Sequence, residues 1–186
     1  MSEESSREPT ETVEHGVVED LNLRGLWERF SAEPDGGRRF AALLGEIAPY
    51  TATVGAEVVS IGDAGSQVEL PDRREVRNHL GCIHAIALTN LAEITGSLAL
   101  GWQLPRGARF IVAKLAIEYR AKARGRITAR GVCPPIASDA RATYEVLVEM
   151  RNERGDVVAT AMLEALVGPG RAAAGAVREQ TQEQTT

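Results

Sequence analysis

The chain has 186 residues, 44% hydrophobic and 4% aromatic, with a formal charge of -5 at pH 7. That length suits one domain with a core that needs neither disulfides nor metals. An acidic chain poor in aromatics lacks the cationic surface and the stacking side chains of a nucleic-acid binder, so that class is excluded.

The charge is uneven. Residues 1–20 carry seven acids (Glu3, Glu4, Glu8, Glu11, Glu14, Glu19, Asp20) against Arg7, a balance of -6. Residues 1–18 hold too little apolar surface to offset the entropy of ordering, and the sequence predicts a disordered acidic tail there. This segment has no basic region followed by an apolar one, and no window has 18 consecutive apolar residues. A cytoplasmic protein without a membrane span is the expectation. Leu23, Leu26, Trp27 and Phe30 recur at helical spacing, Pro34–Gly37 interrupts them, and Phe40, Leu43, Leu44 and Ile47 resume the pattern. Two short leading helices are predicted over 19–48.

From Val54 the period becomes 2. Residues 55–61 and 66–70, separated by Gly62-Asp63-Ala64-Gly65, read as a β-hairpin with Val68 and Leu70 on one face. After the charged loop 72–77 comes a helix over 83–101, with Ile83, Ile86, Ala87, Leu91, Ile94 and Leu98 on one side and Ala, Thr, Gly and Ser elsewhere. A helix without a charged face is buried nearly all round. Four strands follow by alternation. The first has Ile111, Ala113, Leu115, Ile117 and Tyr119 on one face, and the next has Arg124, Arg126, Thr128 and Arg130 on its polar face. In the last two, Ala142–Met150 pairs with Val157–Ala165. These elements predict an α+β domain over 19–167, an antiparallel sheet of five or six strands around one long buried helix. Such a sheet cannot cover the helix from one side alone, so a second subunit or the leading helices must complete the cover. The tail 168–186 opens with a Gly-Pro-Gly break and is read as disordered.

Cys82 and Cys133 stand alone, with no His or Cys at ligand spacing, so no metal site is predicted. There is no GxSxG elbow, Walker loop or GxGxxG before a helix. His15 falls in the acidic tail, which leaves His79 and His84 as candidates. Glu93 is the anomaly. In the 28 residues from Asn78 to Pro105 it is the only acid, and no Lys or Arg occurs. A carboxylate in a low-dielectric setting must be paired, protonated or hydrogen-bonded, and such groups are tuned toward general acid or base work. The residues alone leave two readings, a functional carboxylate or a structural one satisfied by backbone amides or by an arginine such as Arg109. Gly81, Cys82, Ile83 and His84 lie where loop turns into helix, and the first free N–H groups of a helix can hold an anion or a developing oxyanion. Gly81 permits close approach, and Asn78 offers an amide donor or caps a turn. His84 is otherwise a satisfied core residue.

The stretch NHLGCIHAIALTNLAE resembles hotdog-fold thioesterases of the phenylacetate-pathway type, in which Asn, Gly, and a His-Gly-Gly opening a long helix precede an Asp or Glu on that helix. Asn78, Gly81, His84 and Glu93 match in position, and Ile117–Gly131 is similar to the branch left as a domain of unknown function with two leading helices. The resemblance implies a dimer or dimer of dimers with its site at the subunit interface. Glu93 is then the nucleophile or the base that activates water. Ala85 N–H holds the carbonyl oxygen as it becomes negative, and Asn78 places the thioester or the water. The implied substrate is an acyl-CoA or acyl-carrier-protein thioester, with no cofactor beyond the coenzyme A of the substrate itself. Two departures bear on it. His-Gly-Gly is His84-Ala85-Ile86 here, which puts bulk where the acyl chain or pantetheine arm approaches, and Glu93 replaces the commoner Asp. Arg120, Lys122 and Arg124 are candidates for coenzyme A phosphates, against the reading of a solvated strand face. Trp102, Leu104, Ile86, Leu91 and Leu115 line an acyl tunnel or are simply core. A hydratase or dehydratase of the same fold and a non-catalytic thioester-binding domain are the competing readings.

Overall fold

The protein is described by a computed structural model covering residues 22–170; the acidic segment 1–18 and the tail beyond 170 lie outside the described residues. Helix α1 (Leu23–Ser31) starts at Asn22, whose Oδ1 accepts from Gly25 N at 3.1 Å. The side chain thus satisfies one of the N–H groups that a helix start leaves free. Helix α2 (Gly36–Ile47) packs on α1 through Phe40, which meets Trp27 and Phe30 edge-on at 5.3 and 5.9 Å. A third short helix, α3 (Pro49–Ala52), was not apparent from periodicity. Pro49 stands in its first turn, where a missing N–H costs nothing.

Strands β1 (Glu57–Gly62) and β2 (Gly65–Leu70) form the expected hairpin, closed by the Gly62–Gly65 pair. Then come helix α4 (Ala85–Gln103) and strands β3 (Ala108–Tyr119), β4 (Ile127–Val132), β5 (Ala142–Arg151) and β6 (Val157–Pro169). The six strands make one antiparallel sheet in the order β1-β2-β4-β5-β6-β3, so β1 and β3 are its edges. Helix α4 lies across the inner face of this sheet. It starts two residues later than the sequence pattern implied, because His84 has extended backbone angles and acts as the cap. Strand β6 runs to Pro169, past the expected boundary at 167, since Gly168 and Pro169 pair with Arg109 and Ala108.

Two expectations about faces fail for local reasons. A β-bulge between Val112 and Lys114 shifts the register of β3. An extra residue reverses the alternation, so Phe110 and Val112 share the inner side with Leu115 and Ile117, and Ile111 is turned out at 66% exposure. The second concerns the basic run. Arg124 and Arg126 precede β4 and lie in the loop from β3, not on a strand face. Arg126 is bound instead to Glu69 at 2.8 Å and Glu57 at 3.5 Å.

The core is continuous from α4 to the sheet. Leu91, Leu100, Val68, Ile127, Val146, Met150 and Leu163 are all under 2% exposed. Helix and sheet approach closely at Gly131, where a Cβ would stand 2.9 Å from Thr95 O and 2.9 Å from Ser66 Oγ. Ser66 Oγ itself donates to Thr95 O at 2.6 Å. Gly131→Val must therefore push the helix backbone away from β4 and break that bond. Overpacking of this kind costs about 1–3 kcal/mol, to be read from urea denaturation. A Gly131→Val protein of unchanged stability would contradict the close helix–sheet contact.

Candidate active site

The segment before α4 is a tight, cross-linked loop. Asn78 Oδ1 accepts from Leu80 N at 2.9 Å and from Cys82 N at 3.2 Å, and Asn78 N donates to Cys82 O at 2.8 Å. Gly81 takes φ +65°, a left-handed angle that glycine adopts without strain. The turn-capping reading of Asn78 is thus correct for its oxygen. Its Nδ2 has no hydrogen-bond partner among the described residues and remains free to donate. His84 is exposed rather than a core residue, and its Nδ1 accepts from Ile86 N at 3.1 Å, which requires that nitrogen to be unprotonated. Capping by the side chain uses the N–H of Ile86, and that of Ala85 has no acceptor among the described residues. Ala85 N–H, at the positive end of a 19-residue helix, is thus a second donor beside Asn78 Nδ2.

Beyond its first turn, α4 is buried from Ala87 to Leu100 except at Thr89, Glu93 and Ser97. Steps of four residues keep these side chains along one stripe, which begins at Ala85. Glu93 therefore corrects the expectation of an all-round buried setting. It stands half-buried in the one strip of helix that the sheet leaves uncovered. It has no ion pair among the described residues, and Arg109 is exposed. Ser97 Oγ donates to Glu93 Oε1 at 2.9 Å, which fixes the carboxylate and leaves Oε2 for another partner. Thr89 Oγ1 donates to Ala85 O at 3.0 Å and meets Tyr119 Oη at 2.9 Å, and Tyr119 Oη also donates to Ala85 O at 3.1 Å. Thr89 and Ser97 were legible as residues four before and four after Glu93. Tyr119, brought in from the end of β3, was not.

The loop 120–126 lies beside the start of the helix. Ala123 O accepts from Ile83 N at 2.8 Å, and Arg124 Nη2 donates to Leu80 O at 3.4 Å. Arg120 is held by Thr160 Oγ1 at 3.2 Å and Glu118 at 2.8 Å, while Lys122 is exposed and has no ion pair among the described residues. Asn78, Gly81, His84, Ala85, Ile86 and Arg124 thus gather at one end of α4. Glu93 does not join them. Eight residues of helix separate it from Ala85, an axial distance of about 12 Å, whereas a base and an oxyanion donor must meet within about 3 Å of one carbonyl. Within this chain the two groups stand apart along the helix. Of the residues considered as an acyl tunnel, Leu91 is fully buried core, and Trp102 donates to Asp63 Oδ1 at 2.8 Å beneath the Arg24 guanidinium. The buried thiol of Cys133 is pushed up to about 11, which makes it an unreactive core group.

An antiparallel sheet of this strand order wrapped around one long helix is the hotdog fold. Residues 36–167 match the family described as Domain of unknown function (DUF4442), and the chain belongs to that family. No curated protein sequence matches it. Among solved structures, the structural-genomics protein APC5556 is 29% identical, with 80% of this chain and 99% of that one aligned at a TM-score of 0.70. A thioesterase from Haemophilus influenzae is 19% identical, covering 70% of this chain and 88% of its own, at 0.61. A thioesterase family protein from Silicibacter pomeroyi is 15% identical, covering 70% and 96%, at 0.60.

Asp72 ties the two loops of the site together, accepting from Arg77 Nε at 2.6 Å and from Gly125 N at 2.9 Å. The hydrogen bond from Arg77, aided by Gly125 and the arginine charge, holds its carboxyl below the ordinary 3.8 against the opposing effect of burial. A lowered folded-state value means that the stabilisation is fully present above the unfolded value and is lost as pH falls through the folded one. Asp72→Asn should therefore cost about 1 kcal/mol at neutral pH, and the gap to wild type should close in acid below 3.8. Urea titrations across that range check this; a gap independent of pH would show that the charge is not what joins the loops.

Proposed function

We propose that the protein is a thioesterase that hydrolyses acyl-CoA or acyl-carrier-protein thioesters at a site shared by two copies of the chain. The observation that carries this reading is the uncovered stripe of α4. It holds a carboxylate fixed at one oxygen by Ser97 and begins at an unpaired helix N–H, in a fold whose solved neighbours include thioesterases.

Because about 12 Å of helix separates Glu93 from Ala85, the two act on one carbonyl only if they come from different subunits. The edge strand β3 offers the place for a second copy. Its outer edge is unpaired among the described residues, and Ile111 and Tyr119 are 66% and 47% exposed beside it. In the assembled site, Glu93 Oε2 takes a proton from water, and the hydroxide adds to the thioester carbon. Direct attack by the carboxylate, giving an anhydride that water then cleaves, leads to the same products. Ala85 N–H of the other copy stabilises the tetrahedral oxyanion, and its collapse breaks the C–S bond to give a carboxylic acid and a thiol. Asn78 Nδ2 positions the thioester or the water, and Gly81 keeps the approach clear. Ile86, 54% exposed in the first turn, meets the acyl or pantetheine chain. Arg124 and Lys122 face the entry with charge for coenzyme A phosphates, and Arg120, already held by Glu118 and Thr160, adds to the same field. No bound cofactor takes part.

Release of free thiol from a panel of acyl thioesters tests this directly, and Glu93→Gln should lower kcat by at least ~10²-fold. Full activity in Glu93→Gln would remove Glu93 from the chemistry, and tight thioester binding without turnover by wild type would favour a binding domain. Mixing Glu93→Gln with Asn78→Ala protein should restore part of the activity, since one of the two shared sites is then intact. No recovery on mixing would place the site within one subunit.

A further inference from the structure

The loops 72–84 and 120–126 hold seven arginines and lysines against two acids, Asp72 and Glu75, on a chain whose formal charge is -5. Three bonds lock these loops side by side at the start of α4: Gly125 N to Asp72 Oδ2 at 2.9 Å, Ile83 N to Ala123 O at 2.8 Å, and Arg124 Nη2 to Leu80 O at 3.4 Å. Part of the positive charge is committed. Arg77 is paired with Asp72, Arg120 with Glu118, and Arg126 with Glu69 and Glu57, while Arg73 turns away to Val54 O. Arg74, Lys122 and Arg124 are exposed and have no ion pair among the described residues, against one likewise unpaired acid, Glu75.

Leu80 stands beside Arg124 and is 55% exposed. Its N–H donates to Asn78 Oδ1 at 2.9 Å, and its carbonyl accepts from Arg124 Nη2 and from the Cys82 thiol at 3.6 Å. Both backbone groups of the residue are satisfied within the two loops, so its position is fixed and the isobutyl group is what it presents to solvent. A single exposed leucine is ordinary. One fixed at the tip of a cross-linked turn, with unpaired cations beside it, has the anatomy of a protein–protein contact, apolar at the centre and charged at the rim.

We propose that this platform docks an acidic carrier protein, so that the thioester reaches the site on a carrier protein's pantetheine arm rather than on free coenzyme A. This rests on the thioesterase reading and deepens it by naming the carrier. Leu80 lies between Asn78 and Gly81, so a carrier seated on it delivers its arm directly to the donors at the start of α4. Charge alone does not separate the two carriers, because phosphates and protein carboxylates both seek Lys122 and Arg124. Apolar contact does. Neither loop has a Phe, Tyr or Trp on which the adenine of coenzyme A could stack, whereas a protein surface brings side chains to cover Leu80 and carboxylates to meet the cations around it.

The test is thiol release from the hexanoyl thioesters of an acidic acyl-carrier protein, of coenzyme A and of N-acetylcysteamine. The carrier-protein thioester should give a kcat/KM at least ~10-fold above that of the coenzyme A thioester, as electrostatic steering of a complementary partner allows. Leu80→Ser should lower kcat/KM for the carrier-protein thioester about 5-fold, the effect of no longer burying the exposed half of a leucine, and leave the other two substrates unchanged. Lys122→Glu should raise KM for the carrier-protein thioester. Equal efficiency with coenzyme A, an equal effect of Leu80→Ser on all three substrates, or an unchanged KM in Lys122→Glu overturns the proposal and leaves the thioesterase reading standing. If Leu80→Ser does not fold, the comparison of carriers on wild-type protein still decides. If no substrate releases thiol, the thioesterase reading fails, and calorimetry with the pantetheine-bearing carrier protein decides the surface by itself: binding weakened by Leu80→Ser keeps it as a docking site, and no binding removes it.

Discussion

Helix α4 is the constraint around which the rest is arranged. Its 19 residues contain one acid and no base, so in water it would expose apolar surface on nearly every side. Only a sheet long and curved enough to wrap it removes that surface from solvent. The six strands do so with Val68, Ile127, Val146, Met150 and Leu163 on the inner face, while α1 and α2 add Trp27 and Phe40 to the same core. A sheet with two edges cannot close around a helix, and the strip it leaves open is where Thr89, Glu93 and Ser97 stand. The anomalous carboxylate and the incomplete cover are one feature. An acid is tolerated there because that is where the apolar wall ends.

The start of α4 is held as firmly as its middle is buried. His84 N donates to Val76 O and Ile83 N to Ala123 O, while Asp72 and Tyr119 add ties from either side. These bonds join two segments far apart in sequence, the loop 72–84 and the stretch from the end of β3 through the loop 120–126, around the first turn of the helix. Rigidity at that point matters to the proposed chemistry, because an oxyanion donor is effective only when its direction is set before the charge develops. The cap by His84 has a further consequence. It occupies the N–H of Ile86, while that of Ala85, the first in the helix, has no acceptor among the described residues.

How much of this was readable along the chain varies with the range of the forces involved. The hairpin at Gly62–Gly65, the long strands β5 and β6 and the helix α4 follow from periodicities of 2 and 3.6, which local sequence displays directly. The third leading helix escaped because four residues are too few to show a period. The inner face of β3 was misassigned before the bulge at Val112–Lys114 and correctly read after it, at Leu115 and Ile117, because a bulge changes the phase of alternation without any mark in the side chains. Arg124 and Arg126 were placed on a strand because charges alternating with small residues look alike in a loop and on a polar face. Only the pairing partners Glu69 and Glu57 distinguish the two.

For the site, Asn78, Gly81, His84, Ala85 and Glu93 were visible in the sequence because a single uncharged helix and the turn before it fix their order and spacing. Thr89 and Ser97 belong to the same helical arithmetic. The sequence by itself therefore determined that an apolar helix with one carboxylate is wrapped by an antiparallel sheet. The tertiary structure decided which side of that helix stays open, and that Tyr119, Asp72 and Arg124 converge on its first turn. It also left the Asn90 Oδ1 buried without a donor among the described residues. The reason is physical: local periodicity sets which face of an element is apolar, but the edge at which a sheet stops, and the partners that meet there, depend on contacts between residues distant in the chain.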